Sequence, residues 1–386
     1  MKLKILPARR LKIALVCDWY LPRIGGIEMQ LKELAPRLAL KGHIVHVITP
    51  LLDPGVPPFF EKVSKNVKVI RIKTLLLPGF KVMVSPEGVN DLEVILTQEK
   101  YDVVHSHFSY ISPFAMAGLY AARKCDIPGI ITFHSFLRGF GRVLGILDRL
   151  TGWTGWPSAY TAVSPSVAED VQGLCRKNRV SLLGNGIDPK IWFPREKMKK
   201  GENIRLVSIM RLSRKKRGPA LIRIFHDLKR RLKPGMNLEL TIIGDGSDYG
   251  KMARMIRKRR LDGQIRLMGF QTHEVIRRVF SSSDIFVLPS ILESFGIAAL
   301  EARCSGLPVV AMTFGGVKTF IRDNIEGFLA EDDTHMALCL ARLIQIPDLL
   351  DRITRHNTHT PCPFTWDRVI EDHLQLYLGL SCPPIS

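Results

Sequence analysis

The chain reads as an α/β protein of two Rossmann-like domains, each built on a parallel sheet, with the two sheets facing a central cleft. Three observations predict this. At 386 residues the chain exceeds what one ordinary core organises, so two domains of comparable size are expected. Short β-rich runs alternate with helical patterns through the first half, which is the rhythm of βαβ units. After a polar break the same alternation starts again.

In the first half, strands are predicted over Leu11 to Val16, Ile44 to Thr49, Val103 to His105 and Gly129 to Phe133. Between the first two, the stretch Gly26 to Lys41 carries Leu31, Leu34 and Leu38 at spacings of three and four, a helix with one apolar face, and Gly42 follows as its stop. The break is the lysine-rich segment 193–202, read as an interdomain linker. Second-half strands are predicted over Arg205 to Ile209, Leu238 to Ile243, Ile265 to Met268, Ile285 to Leu288 and Pro308 to Ala311. Phe364 to Glu371 reads as a helix start, with Thr365 as N-cap and Trp366, Val369 and Ile370 on one apolar face. The division is therefore a first domain 1–192, a linker 193–202, a second domain 203–360, and a tail 361–386 whose helix packs back towards the first domain.

Hydrophobic residues make up 46% and charged residues 24%, which excludes disordered and fibrous classes. Seven scattered cysteines without a Cys-x-x-Cys pair suggest neither a disulfide framework nor a zinc site, and fit a reducing, cytoplasmic compartment. The apolar run Leu11 to Val16 ends at Cys17-Asp18 and reads as a first strand, not as a signal peptide. No stretch approaches the roughly 20 apolar residues a spanning helix needs, so a membrane would be met from its surface. The formal charge of +20 predicts a polyanionic partner. Basic clusters at Arg211 to Arg217, Lys229 to Lys233 and Arg254 to Arg260 carry no interleaved aromatic residues, so nucleic acid ranks behind anionic lipid and phosphorylated ligands.

Ligands of open parallel sheets bind beyond the carboxyl ends of the strands, so residues just after strands are the candidates. The segment Asp284 to Ala311 reads as a strand, a loop carrying Glu293, a helix carrying Glu301, a glycine stop and another strand. Ser294, Phe295, Gly296 and Ile297 fall where that helix begins, and their N–H groups would offer an anion site reinforced by the helix dipole. Gly296 would let a ligand approach the backbone. Arg211 and Lys216 follow the first strand of the second half and are near enough in sequence to meet one diphosphate. Either glutamate alone is an ordinary surface acid, and Arg211 to Arg217 alone an ordinary basic loop; the joint placement marks a site.

The run Glu-Ser-Phe-Gly-x4-Glu-Ala over 293–302 resembles the Glu-x7-Glu motif of glycosyltransferase family 4, the retaining enzymes of GT-B fold. Further matching pieces run in order along most of the chain: Pro22 to Glu28, Val103 to His107, Thr132 to Ser135, Val163 to Ser166, Gly184 to Asp188, Met210 to Gly218 and Ile243 to Gly246. The resemblance implies a metal-independent transfer from a nucleoside-diphosphate sugar, a UDP-sugar ahead of GDP-mannose, with no cofactor. It makes the first domain the acceptor side and the second the donor-binding side. Arg211 and Lys216 would stabilise the departing diphosphate, Glu301 would accept from the ribose hydroxyls, and Glu293 would meet hydroxyls of the transferred sugar. His134 would stand near that sugar, an assignment that leans on the resemblance because a lone histidine is usually structural. The donor set would be completed by Gly25 and Gly26, which fit a plain turn equally well, and by Gly269, Phe270, Ser294, Phe295, Gly296 and Ile297. His105 and His107 read as packing or tautomer-fixing residues, and Arg214, Lys215 and Arg217 as solvated or lipid-facing. Met210 departs from the glycine many relatives carry before Arg-Leu, which puts the backbone approach there in doubt. Retention implies front-face attack or double displacement, the resemblance favouring the former.

The Gly-Gly-x-Glu loop followed by His-Ser-His is similar to enzymes that glycosylate phosphatidylinositol or other membrane lipids, which implies a lipid-linked or glycan acceptor and a peripheral site on the cytoplasmic face, with any partner subunits unknown. Residues 136–156 mix arginines, large apolar residues and Trp153 and Trp156, a blend suited to an anionic bilayer surface, although a helix and loop packed inside the first domain fits as well. Two other functions fit the same architecture: a non-hydrolysing sugar-nucleotide epimerase, and an inactive nucleotide-sugar-binding subunit.

Overall fold

A computed structural model describes residues 9–23, 25–51, 60–77, 82–84, 86–175, 178–194 and 203–381. The chain divides into two compact units, 1–186 with 366–386, and 187–365. The division falls at Gly186, ahead of the expected linker, because the residues after it pair with the second unit: Ile187 bridges Thr365. Residues 195–202 of the expected linker lie outside the described residues.

The first unit contains β1 (Lys12–Cys17), α1 (Gly26–Leu40), β2 (Ile44–Pro50), β3 (Phe60–Ser64), β4 (Val67–Ile72), β5 (Leu75–Leu77), β6 (Val82–Val84), α2 (Pro86–Glu99), β7 (Val103–Phe108), α3 (Pro113–Lys124), β8 (Gly129–Phe133), α4 (Gly141–Thr151), β9 (Ala159–Ala162), α5 (Pro165–Gln172) and β10 (Val180–Leu182). Its main sheet runs β10-β9-β8-β7-β1-β2-β4-β3, parallel except for the last pair. Burial explains the composition of its centre: five of six residues of β1 and all six of β7 are buried, as expected of strands covered on both faces. Short β9 and β10 escape sequence reading because three or four residues carry too little periodicity.

β7 buries His105, Ser106 and His107, and buried polar groups need partners. His105 finds them in Tyr377, whose Oη lies 2.7 Å from Nδ1, and in Thr132, whose Oγ1 lies 2.6 Å from Nε2. Tyr377 arrives from the last helix, α12 (Trp366–Ser381), whose Trp366, Val369, Ile370 and Tyr377 join the core formed by β1, α1 and β2.

The second unit contains β11 (Ile204–Ile209), α6 (Gly218–Arg231), β12 (Leu238–Ile243), α7 (Tyr249–Lys258), β13 (Ile265–Leu267), α8 (His273–Ser281), β14 (Ile285–Leu288), α9 (Ile297–Cys304), β15 (Val309–Met312), β16 (Gly327–Ala330), α10 (Asp333–Gln345) and α11 (Pro347–His359). Its sheet is parallel throughout and runs β13-β12-β11-β14-β15-β16, the doubly wound order in which the connection reverses between the first and fourth strands. The reversal parts the loops leaving β11 and β14, and the opening lies at their carboxyl ends.

Candidate active site

The loop after β11 holds Arg211 and Lys216, and the loop after β14 holds Glu293. These are neighbouring strands at the reversal, so the fold brings their ends together. Lys216 Nζ donates to Glu293 Oε2 at 2.6 Å, joining two of the residues expected to act on the donor. Arg211 is exposed two residues beyond the end of β11.

The β11 loop is held from two sides. Asp245 O accepts from Leu212 N at 2.8 Å, inside the run Gly244-Asp245-Gly246. A Cβ at Gly244 would stand 1.9 Å from Met210 O, and one at Gly246 would stand 2.4 Å from Leu212 O, with φ at +135° and +150°. Only glycine permits that approach, and Met210 does not prevent it. On the other side Arg217 adopts φ +60°, donates to Pro289 O at 3.0 Å, and reaches both oxygens of Asp333 at 2.8 and 3.0 Å. The expectation of a solvated or lipid-facing Arg217 is therefore corrected. It ties the β11 loop to the end of β14 and to the start of α10, because a guanidinium can serve several acceptors at once. Arg214 and Lys215 remain exposed.

The β14 loop is fixed by its own backbone. Glu293 O accepts from Gly316 N at 2.6 Å, which binds it to the Gly315-Gly316 turn after β15. Gly296 caps α9 with φ +91°, and a Cβ there would fall 2.7 Å from Val317 Cγ2. Phe295 is buried against Phe320 and Phe364, so its side chain belongs to the core and only its backbone is left for a ligand. Ser294 and Ile297 are half-buried beside it. Glu301 lies in α9, and burial pushes its carboxyl up to about 8. Gly269 takes φ +67° after β13, accepting from Gly244 N at 2.8 Å, and Phe270 next to it is exposed.

Gly25, Gly26 and His134 belong to the first unit. Gly25 precedes the first turn of α1 with extended backbone, and Gly26 opens the helix. His134 follows β8, and its Nε2 lies 3.0 Å from His107 Nδ1. Burial holds the imidazole of His134 down at about 3, and those of His105 and His107 well below the ordinary histidine range. Asp18, after β1, accepts from Phe114 N at 3.0 Å and Ala115 N at 3.2 Å at the start of α3. Of the two readings left open for residues 136–156, Trp153 takes the packed one, fully buried with its Nε1 donating to Leu144 O, and Trp156 lies against Tyr120 with the rings tilted by 55°.

Two adjoining family models match the chain. Glycosyltransferase Family 4 covers residues 24–191 and Glycosyl transferases group 1 covers residues 190–359. The chain belongs to glycosyltransferase family 4. This glycosyltransferase is 29% identical to an uncharacterized glycosyltransferase of Methanocaldococcus jannaschii, over 82% of the chain and 84% of that protein. It is 24% identical to the phosphatidylinositol N-acetylglucosaminyltransferase GPI3 subunit of Saccharomyces cerevisiae, over 96% and 83%. Among solved structures, HepE of Anabaena in complex with UDP-glucose superposes with a TM-score of 0.73 at 18% identity, covering 96% of this chain and all of that one. The enzyme class and the GT-B fold expected from the Glu-x7-Glu run follow from these matches. Arg217, Asp333 and the Gly315-Gly316 turn were missed. Signals for them existed in the glycine pair after a strand and in the acid opening α10, but neither names its distant partner.

Proposed function

We propose that this glycosyltransferase moves a sugar from a nucleoside-diphosphate donor, a UDP-sugar, to a lipid-linked acceptor, with retained anomeric configuration and without a metal, at the cytoplasmic face of a membrane. The observation that carries the reading is the contact of Lys216 with Glu293 beyond the neighbouring ends of β11 and β14. A departing diphosphate needs cations, and the transferred sugar needs acceptors for its hydroxyls; this contact supplies one of each side by side. Arg211 and Lys216 meet the growing charge on the leaving group, Glu293 orients the sugar, Glu301 accepts from the ribose, and His134 serves the transferred sugar. In front-face attack the anomeric bond to the diphosphate breaks as the acceptor oxygen bonds on the same face. The acceptor proton passes to the departing phosphate oxygen, so no side chain is needed as base.

The UDP-glucose complex of HepE supports the choice of nucleotide, and the phosphatidylinositol N-acetylglucosaminyltransferase identity of the yeast relative supports a phosphatidylinositol-type acceptor. No helix among the described residues is long and apolar enough to cross a membrane, so on this reading the acceptor is met from the bilayer surface. The test is a panel of UDP- and GDP-sugars scored by thermal stabilisation, since a ligand of the folded state raises its melting point. The stabilising donor is then supplied with phosphatidylinositol in detergent, and the anomeric configuration of the product is read by NMR. A UDP-sugar that stabilises the protein and yields an α-linked product from an α-linked donor is expected. An inverted product, or stabilisation by no sugar nucleotide, overturns the reading.

A further inference from the structure

α4 is fastened to the first unit along one side only. Leu144 and Asp148 face inward. Asp148 Oδ1 accepts from Thr154 N at 2.8 Å and Thr154 Oγ1 at 2.7 Å, and fully buried Trp153 donates to Leu144 O at 3.1 Å. These bonds lock the rotation of the helix and so fix what its other side shows. That side shows Val143, 57% exposed, Ile146, 57% exposed, and Leu150, 80% exposed. At 3.6 residues per turn the three lie within roughly 60° of arc, one continuous apolar stripe. Arg142 and Arg149, also exposed, stand seven residues apart along one flank of it, and the one acid in the helix is buried Asp148.

An apolar stripe left open beside arginines, on a helix already anchored through its opposite side, adds nothing to folding. We infer that this face of α4 seats the protein on an anionic bilayer, Val143, Ile146 and Leu150 entering the acyl boundary while Arg142 and Arg149 meet lipid phosphates. Charge selects the occupant: a stripe bordered by cations, on a helix that exposes no acid of its own, fits a surface that is apolar within and anionic at its rim. The inference rests on the lipid-acceptor reading above and deepens it by naming the element that brings the protein to its acceptor. It also moves the contact away from Trp153, which serves the core, to the aliphatic side chains.

Flotation of the full chain with phosphatidylcholine vesicles, with and without phosphatidylserine, tests it. Wild type is expected to float with the anionic vesicles and to lose binding as salt rises. Val143→Ser, Ile146→Ser and Leu150→Ser combined should lower partitioning by about tenfold or more. Arg142→Gln with Arg149→Gln should remove the preference for anionic lipid. Leu40→Ser, at an equally exposed leucine in α1, should change nothing. All these positions are exposed, and unchanged melting points confirm that the variants fold. Failure of wild type to float, or flotation of the triple variant at the wild-type level, overturns the inference. So does a wild-type dimer that becomes a monomer in the triple variant with vesicle binding intact, which would make α4 an interface between copies. If α4-dependent flotation holds while phosphatidylinositol in detergent accepts no sugar, the acceptor reading falls and the docking face stands. If the lipid is glycosylated in detergent while the triple variant floats normally, the reverse is true.

Discussion

Lys216 and Glu293 are only partly buried, and an ion pair in that setting contributes at most about 1 kcal/mol to stability. The pair therefore adds little to the fold, and on the proposed reading its role is towards the ligand. Lys216→Ala is expected to lower kcat by about two to three orders of magnitude, the loss of one preorganised donor to a developing anion, with little change in melting point. If Lys216 only positioned Glu293, the double variant Lys216→Ala with Glu293→Gln would be no slower than either single one; separate roles make it slower than both. Glu301 titrates about a neutral-to-alkaline point because burial disfavours its charge. A carboxyl raised to about 8 is mainly protonated at pH 7 and ionised above pH 8, and the ionised form is the stronger acceptor for hydroxyls. UDP affinity should thus rise between pH 7 and pH 9, and calorimetry on Glu301→Gln should show that rise abolished. In the first unit, His107 Nε2 is buried without a hydrogen-bond partner among the described residues. A bare acceptor is tolerated there better than an orphaned N–H, so the proton shared by the two rings belongs on His107 Nδ1, and His134 carries its own on Nδ1. Nitrogen NMR should report neutral His134 as the Nδ1–H tautomer; the Nε2–H form would refute the assignment.

At the scale of elements, the loops that present the site are held by residues outside it. Arg217 joins the β11 loop to Pro289 and Asp333 while less than a quarter exposed. Arg217→Ala should cost about 1.5 to 3 kcal/mol in urea unfolding, the range of a charge-assisted bond, and should raise KM for the donor because Lys216 precedes it directly. Arg217→Lys should recover only part, since an ammonium does not reproduce the planar fork. The alternating strands and the Glu293–Glu301 run were legible because they rest on local periodicity and on a motif compact in sequence, whereas the contact of Glu293 with Lys216 joins residues 77 apart and was not. β1, β2, β12 and β14 lie within a residue of where the pattern predicts them. The partner of Arg217 was not legible, for Asp333 lies 116 residues away and nothing local distinguishes a tethered arginine from a solvated one. Trp153 was left open between a bilayer surface and the interior for a related reason. Its neighbours Arg149 and Gly152 read as surface, and only the turn after α4 folds the ring inward.

Across the whole molecule, titratable burial is unevenly shared. The first unit buries His46, His105, His107 and His373 almost completely, with His134 beside them. Burial lowers every one of these imidazoles, His46 and His373 to about 4 and His134 to about 3. A histidine kept neutral in the folded state contributes stability that is complete above its unfolded value of 6.5 and is lost as pH falls through the window between 6.5 and about 4. Each such group removes at most about 1.4 kcal/mol per pH unit over that window. Asp18 works in the opposite sense: raised to about 7 by burial, it stabilises below its unfolded value and loses that contribution as pH rises towards 7. His43, also buried, is lowered by the same cause, and one carboxyl against six imidazoles leaves a net loss on acidification, concentrated in the first unit. Trp19, Trp153, Trp156 and Trp366 belong to that unit and Trp192 to the other, so tryptophan fluorescence reports mainly on the part that should fail. Urea midpoints followed by fluorescence are expected to fall steeply from pH 7 to pH 5, and His373→Gln, which removes one titrating ring while keeping an amide in its place, should flatten the slope. Midpoints that stay level across that range would show that these imidazoles take up protons without unfolding the unit.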